Sequence, residues 1–201
     1  MPLPLPTLPR ENDPANATLE STETLRLLAH RRSTKVIHFT APGPASAEID
    51  ALIALAARVP DHGKLGPWRF VVVEGEGRAR AGEKLAGVCA DEPSAAIARN
   101  AFLRAPVCVM VISTAAPHPK IPEWEQQLSA GAVCFALLIA AHAAGYGGCW
   151  LTGWPAYDAR ARAALGLAEP ERIAGFIHLG TPTEAPTERV RADVIARISR
   201  F

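Results

Sequence analysis

One stretch restricts the fold more than any other. From residue 128 to residue 145 the chain is almost wholly apolar, rich in small side chains and interrupted only by His142. A helix that is apolar on every side has to be covered on every side. Length alone would let it cross a bilayer. It is a single such segment, however, and Glu123, Glu125, Gln126 and Gln127 stand just before it, so a soluble core helix fits better. A chain of 201 residues builds one core of moderate size. The second cover for this helix is therefore expected from another subunit, in a dimer without membrane contact. The formal net charge of +1 gives no reason to expect nucleic acid as a partner. Any anion bound has to be met by local basic residues.

The rest of the pattern is built around that helix. Runs rich in β-branched residues at 70–73, 107–112 and 173–180 read as strands, the last two buried. Ser21 or Thr22 can cap a first helix with Leu25, Leu28 and Ala29 on one face. Ser46 is expected to cap a second helix, whose buried stripe is Ile49, Leu52, Ile53 and Ala56 and which Pro60 stops. Further helical patterns cover 76–85, 94–103 and 155–165. This order predicts one α+β domain with a central mixed or antiparallel sheet flanked by helices. Its bounds are residues 21–182, after a proline-rich, flexible extension over 1–20 and before a polar, proline-punctuated extension over 183–201. Cys89, Cys108, Cys134 and Cys149 lack CxxC spacing and read as buried, reduced thiols of a cytoplasmic protein. The histidines show no metal-ligand spacing, so no metal site is expected.

Three short stretches carry chemistry. Arg31-Arg32-Ser33 ends the first helix, where the arginines either complement the helix dipole or clasp a phosphate through forked donors. Arg58-Val-Pro-Asp-His62-Gly-Lys64 is a basic loop between helix and strand, either simply solvated or part of a ligand cradle. Gly145-Tyr-Gly-Gly-Cys-Trp-Leu-Thr-Gly153 is either an ordinary helix-to-strand turn or a backbone that lets a flat ligand approach closely. It is not a GxGxxG following a first strand, so a Rossmann site gains no support.

In order and spacing, these stretches resemble the FMN-dependent nitroreductase family. The pattern is Arg31-Arg32-Ser33, then Arg58-x-Pro60, Pro67-Trp68-x-Phe70, Gly145-x-Gly-x-x-Trp150 and Gly175-x-x-x-Leu179-Gly180. Val59-Pro60-Asp61-His62, Arg104-Ala-Pro106, Trp124-Glu-Gln126 and Ser129-Ala-Gly131 are similar to its short branch of NAD(P)H nitroreductases. The resemblance spans roughly residues 22–182. It implies a homodimer with FMN at the subunit interface, reduced by NADH or NADPH and reoxidised by a small acceptor such as a nitroaromatic or a quinone. By position, Arg31, Arg32 and Ser33 would hold the FMN phosphate and ribityl chain, and Arg58 and His62 would reach the same flavin from the other subunit. Trp150, Leu151 and Thr152 would run along the flavin through main-chain contacts. The branch's NAD(P)-binding segment maps to Ala140, Ala141, His142, Ala143, Ala144 and Gly145. No catalytic side chain is implied, since the chemistry is the flavin's. Two departures stand out. Asp61-His62-Gly63-Lys64 replaces the usual serine- and asparagine-bearing loop, and only Arg189 and Arg191 are candidates for the C-terminal phosphate ligands. The competing readings are a flavin-binding storage or sensing protein with little turnover, and a dimeric module that has lost the flavin.

Overall fold

The computed structural model describes residues 5–15 and 18–201. Its core is a five-stranded sheet built on the two strands buried along most of their length. β3 (Val107–Ser113) pairs with β2 (Trp68–Glu74) on one side and with β5 (Arg172–Pro182) on the other. β4 (Gly147–Leu151) closes the far side of β5, and the two-residue β1 (Phe39–Thr40) adds to the end of β5. Every pairing is antiparallel, which resolves the mixed-or-antiparallel expectation. All seven residues of β3 are buried. An antiparallel strand reads as a continuous apolar run here because helices cover both faces of the sheet.

Alternation along the strands divides the core in two. Cys108, Met110, Ile112, Phe176 and His178 point to one face, where α3 (Gly77–Ala86), α4 (Glu92–Arg99) and α6 (Ala159–Ala164) pack. Val107, Val109, Val111, Ile177 and Leu179 point to the other, beneath α2 (Ser46–Ala56) and α5 (Glu123–Ala143). The register between β3 and β5 shifts where Val111 faces Gly175 but Ile112 faces Ile173, leaving Ala174 as a bulge. The Trp150 indole N–H donates to the Ala174 carbonyl at 3.0 Å. The ring then lies against Gly175, where a Cβ would stand 2.2 Å from Trp150 Nε1 and 3.1 Å from Cys134 Sγ.

Three helices are capped by one side chain reaching the nearest backbone, and only the first of these caps is an expectation from the sequence. Ser21 caps α1 (Thr22–His30) by accepting from the Thr24 N–H, and Asp91 and Asp158 do the same for α4 and α6. Two expectations need correction. Ser46 is not the cap of α2 but its first residue; Ala45 holds that position and the Glu48 carboxylate accepts its N–H at 2.9 Å, which frees the Ser46 hydroxyl to donate to Glu74. The apolar face of α1 is not covered among the described residues, since Leu25 is 70% and Leu28 45% exposed. The N-terminal extension is not wholly separate: Leu5 packs on the same core cluster as Leu137 and Tyr146.

α5 is the one helix among the described residues long and apolar enough to cross a membrane, yet one side of it lies on the sheet, with Val133, Cys134, Leu137 and Leu138 buried. Its other side carries Trp124, Leu128 and Phe135, each more than 40% exposed. The stripe they form, at spacings of four and seven, is a helical face without a partner among the described residues.

Gly175→Ala is expected to push Trp150 off the bulge and lower stability by about 1–3 kcal/mol, as overpacking does. Urea unfolding of G175A in the Trp150→Ala background should show a smaller loss; equal losses in both backgrounds would remove Trp150 from the explanation.

Candidate functional site

α1 ends at His30, and Arg31 takes an extended conformation while its N–H still closes on the Leu27 carbonyl at 2.9 Å. The chain then runs beside β4. The buried Thr34 donates its N–H to the Gly148 carbonyl at 3.1 Å, and a Cβ on Gly147 would come within 2.9 Å of the Thr34 hydroxyl. Glycine at 147 is what allows the two segments to meet so closely. Arg31 and Arg32 line a cavity of about 500 Å³ between the ends of α1 and α5, together with Arg26, His30 and His142. Glu23 is the one acid on its wall. Two nitrogens at this cavity are buried without a partner among the described residues, the donor Arg31 Nε and the ring atom His142 Nδ1. Burial, and then the Arg31 charge, hold the His142 imidazole below its ordinary pKa. A concave surface with this excess of positive charge suits an anion.

The two arginines are held differently. The Arg31 guanidinium stands 6.0 Å from the Phe135 ring centroid and reaches the Ser33 hydroxyl at 3.4 Å. Arg32 donates through Nε to the Thr187 carbonyl at 2.9 Å and lies 3.7 Å from Glu188, which in turn pairs with Arg191. The C-terminal extension is thereby fastened beside the cavity, and Pro186 forms part of the wall. Ser33 itself opens onto a neighbouring groove with Lys35 and Thr187.

Arg58 and His62 are not on this cavity. Arg58 is exposed just beyond α2, and His62 Nδ1 meets the Glu125 carboxylate at 2.6 Å at the start of α5. Arg31 sits near His142, at the opposite end of that helix. From Glu125 to Phe135 and His142, the α5 residues beside Arg31, is ten to seventeen residues, which puts His62 and Arg31 about 15–25 Å apart along α5. Within one chain they cannot meet one phosphate.

Trp150 is committed to the Ala174 bulge, whereas Leu151 and Thr152 face a second cavity, of about 180 Å³, at the end of β4. Of the segment mapped to NAD(P), His142 and Gly145 line the larger cavity, Ala143 is exposed, Ala140 and Ala144 are half-buried, and Ala141 is fully buried in the core. Sequence reasoning missed four wall residues. Arg26 and His30 share the last turns of α1 with Arg31, a spacing visible in the sequence. Arg104 was noticed only as part of a motif, and His178 only as part of a strand; both line the smaller cavity.

The family model described as "Nitroreductase family" matches residues 28–181. The chain belongs to the nitroreductase family. "Putative NAD(P)H nitroreductase YdjA" of Escherichia coli (strain K12) is 38% identical over 164 residues, covering 80% of this chain and 88% of that protein. Among solved structures, the nitroreductase-like family protein from Bacillus cereus superposes with a TM-score of 0.81 at 23% identity, over 92% of this chain and 99% of that one. The nitroreductase with bound FMN from Bacteroides fragilis NCTC 9343 gives 0.67 at 19% identity, over 90% and 100%.

His178 offers a test of the inner wall. Burial, helped by the charge of Arg104, pulls its pKa down to about 4. Between about 6.5, the unfolded value, and the folded value, the unfolded chain takes up a proton that the native one refuses. Stability is therefore intact above pH about 6.5 and falls by roughly 3 kcal/mol as pH drops towards the folded pKa. Denaturant titrations across that window should show a shallower slope for His178→Asn. An unchanged slope would mean that another group governs it.

Proposed function

We propose that the protein is an oxidoreductase that binds FMN, takes hydride from NADH or NADPH and delivers it to a small acceptor such as a nitroaromatic or a quinone. The observation that carries this reading is the basic cavity at the ends of α1 and α5, with Arg31 Nε and His142 Nδ1 buried and unpartnered. The flavin's phosphate brings the charge that such a wall lacks, and forked guanidinium donors match its oxygens. The name of the E. coli relative and the FMN in the B. fragilis structure support the choice of ligand.

On this reading Arg31, Arg32 and Ser33 hold the phosphate end, while the backbone of Trp150, Leu151 and Thr152 lies along the ring. Pinning of the Trp150 indole to Ala174 fixes that backbone, so the donors are oriented before the ligand arrives. His142 and Gly145 are the residues of the 140–145 segment able to touch a dinucleotide, since they reach the cavity. FMN, when bound, supplies the redox chemistry, accepting hydride from the nicotinamide and yielding it to the acceptor. Reductant and acceptor use one pocket in turn. Four free thiols fit a reducing compartment such as the cytoplasm.

The working unit is a homodimer. The apolar stripe of α5 and the bare face of α1 need a cover, and a second copy offers the same surface under two-fold symmetry. Antiparallel pairing of two α5 helices brings the Glu125 end of one beside the His142 end of the other. That arrangement delivers Arg58 and His62 of the second copy to the cavity that neither lines in one chain.

The visible spectrum of the purified protein should be that of a flavin, bleaching when NADH or NADPH is added without oxygen and returning on addition of a quinone. A flavin spectrum indifferent to both reductants would favour storage or sensing. Arg31→Ala is expected to weaken FMN binding by about 10- to 100-fold, the worth of a charge-assisted hydrogen bond, with little change in unfolding midpoint. Equal losses in both would remove Arg31 from the phosphate site. Leu128→Arg, which puts a charge on the α5 stripe away from Arg31, should sediment as a monomer and release its FMN; a dimer that persists would take the stripe out of the interface.

A further inference from the structure

The smaller cavity has no role in the reading above beyond its contact with Leu151 and Thr152. It lies on the face of the sheet covered by α3 and α4, between Phe176 and His178 of β5 and the segment that follows α4. Its walls are largely apolar, with Leu85, Ala98 and Phe102 among them, and Phe102 meets Phe176 edge-on at 5.8 Å between ring centres. The volume of about 180 Å³ exceeds the roughly 150 Å³ apolar cavity that accepts a benzene molecule in an engineered protein.

Two groups make it more than a void. His178 is only 5% exposed, lines the cavity, and has its Nδ1 buried without a partner. Its Nε2 lies 4.0 Å from the Cys108 thiol, which burial keeps protonated. The imidazole thus presents one unpaired ring nitrogen at the cavity. Arg104 lines the same cavity and is exposed, which places its charge at the mouth. No acidic residue lines the cavity, so this charge meets no counterion on its walls. A wall of alanine, leucine and phenylalanine with a cation at the entrance selects an aromatic ring that carries an anion.

We propose that this cavity is a binding subsite for a single aromatic ring bearing a carboxylate, with the ring against the apolar wall that includes Phe102 and Phe176 and the carboxylate paired with Arg104. Its occupant would lie beside Leu151 and Thr152. The acceptors favoured by the enzyme are thereby aromatic carboxylates, an extension that rests on the assignment of Thr152 to the flavin. Binding of the ring itself does not rest on it.

The test is calorimetric titration of the FMN-loaded protein with benzoate and with benzamide, its neutral near-isostere, repeated on protein stripped of flavin. Benzoate should bind both forms, with at least about tenfold preference over benzamide, as one charge-assisted contact provides. Arg104→Gln should abolish that preference while leaving benzamide binding unchanged. Ala101→Leu, which fills the cavity, should abolish both while the protein keeps its flavin spectrum. Arg104 is exposed, so R104Q decides the matter even if A101L does not fold. Failure of benzoate to bind either form would overturn the proposal, as would an unaltered preference in R104Q. Competition between benzoate and FMN would also overturn it, by assigning the cavity to the flavin. A protein that cannot be loaded with FMN would sink the oxidoreductase reading alone, because the titration of the flavin-free form still decides the cavity.

Discussion

The structure depends on the burial of α5. One side of the helix closes the core against β3, β4 and β5, through Val133, Cys134, Leu137 and Leu138. The hydrophobic effect scales with the apolar area withdrawn from water, and this helix offers such area all round. A single chain can use only half of it. What remains, Trp124, Leu128 and Phe135, is exposed apolar surface. The same helix also separates His62 at its beginning from Arg31 further along it, and the proposed second copy answers both that separation and the bare stripe.

The electrostatics of the larger cavity follow from how its cations are held. Arg32 is engaged by the Thr187 carbonyl and Glu188, and serves as an anchor for the C-terminal extension. Arg31 is steadied by Phe135 and Ser33 but keeps a buried donor free. Leaving a buried donor unpaired is unfavourable. On the proposed reading, a bound phosphate offsets this cost. The smaller cavity has the same character on a lesser scale, with a buried histidine held neutral beside an arginine that no wall residue neutralises.

Much of the fold was legible in the sequence. The β-branched runs gave β2, β3 and β5, because a strand covered on both faces has to be apolar at every position. The cap at Ser21 was also visible, since it involves only the nearest backbone. The α2 start was misplaced by one residue because Glu48, reaching back to Ala45, did the work expected of Ser46. The face of α1 that pattern reasoning buries, Leu25 and Leu28, is bare, for a helical period reports that a face needs cover without saying which molecule provides it. Arg104 and His178 could not be linked from the sequence at all, being 74 residues apart and brought together only by the pairing of β3 with β5.

By itself the sequence determined the element types, the apolar helix at the centre and the presence of paired arginines at a helix end, because these depend on neighbours three or four residues away. Tertiary structure alone decided the bulge at Ala174 that pins Trp150, the free Nε of Arg31, the isolation of Arg58 and His62 from the cavity, and the second cavity. Each of these is a contact or separation between distant segments. Close packing fixes such relations through the shapes of all the side chains at once, and no local pattern encodes them.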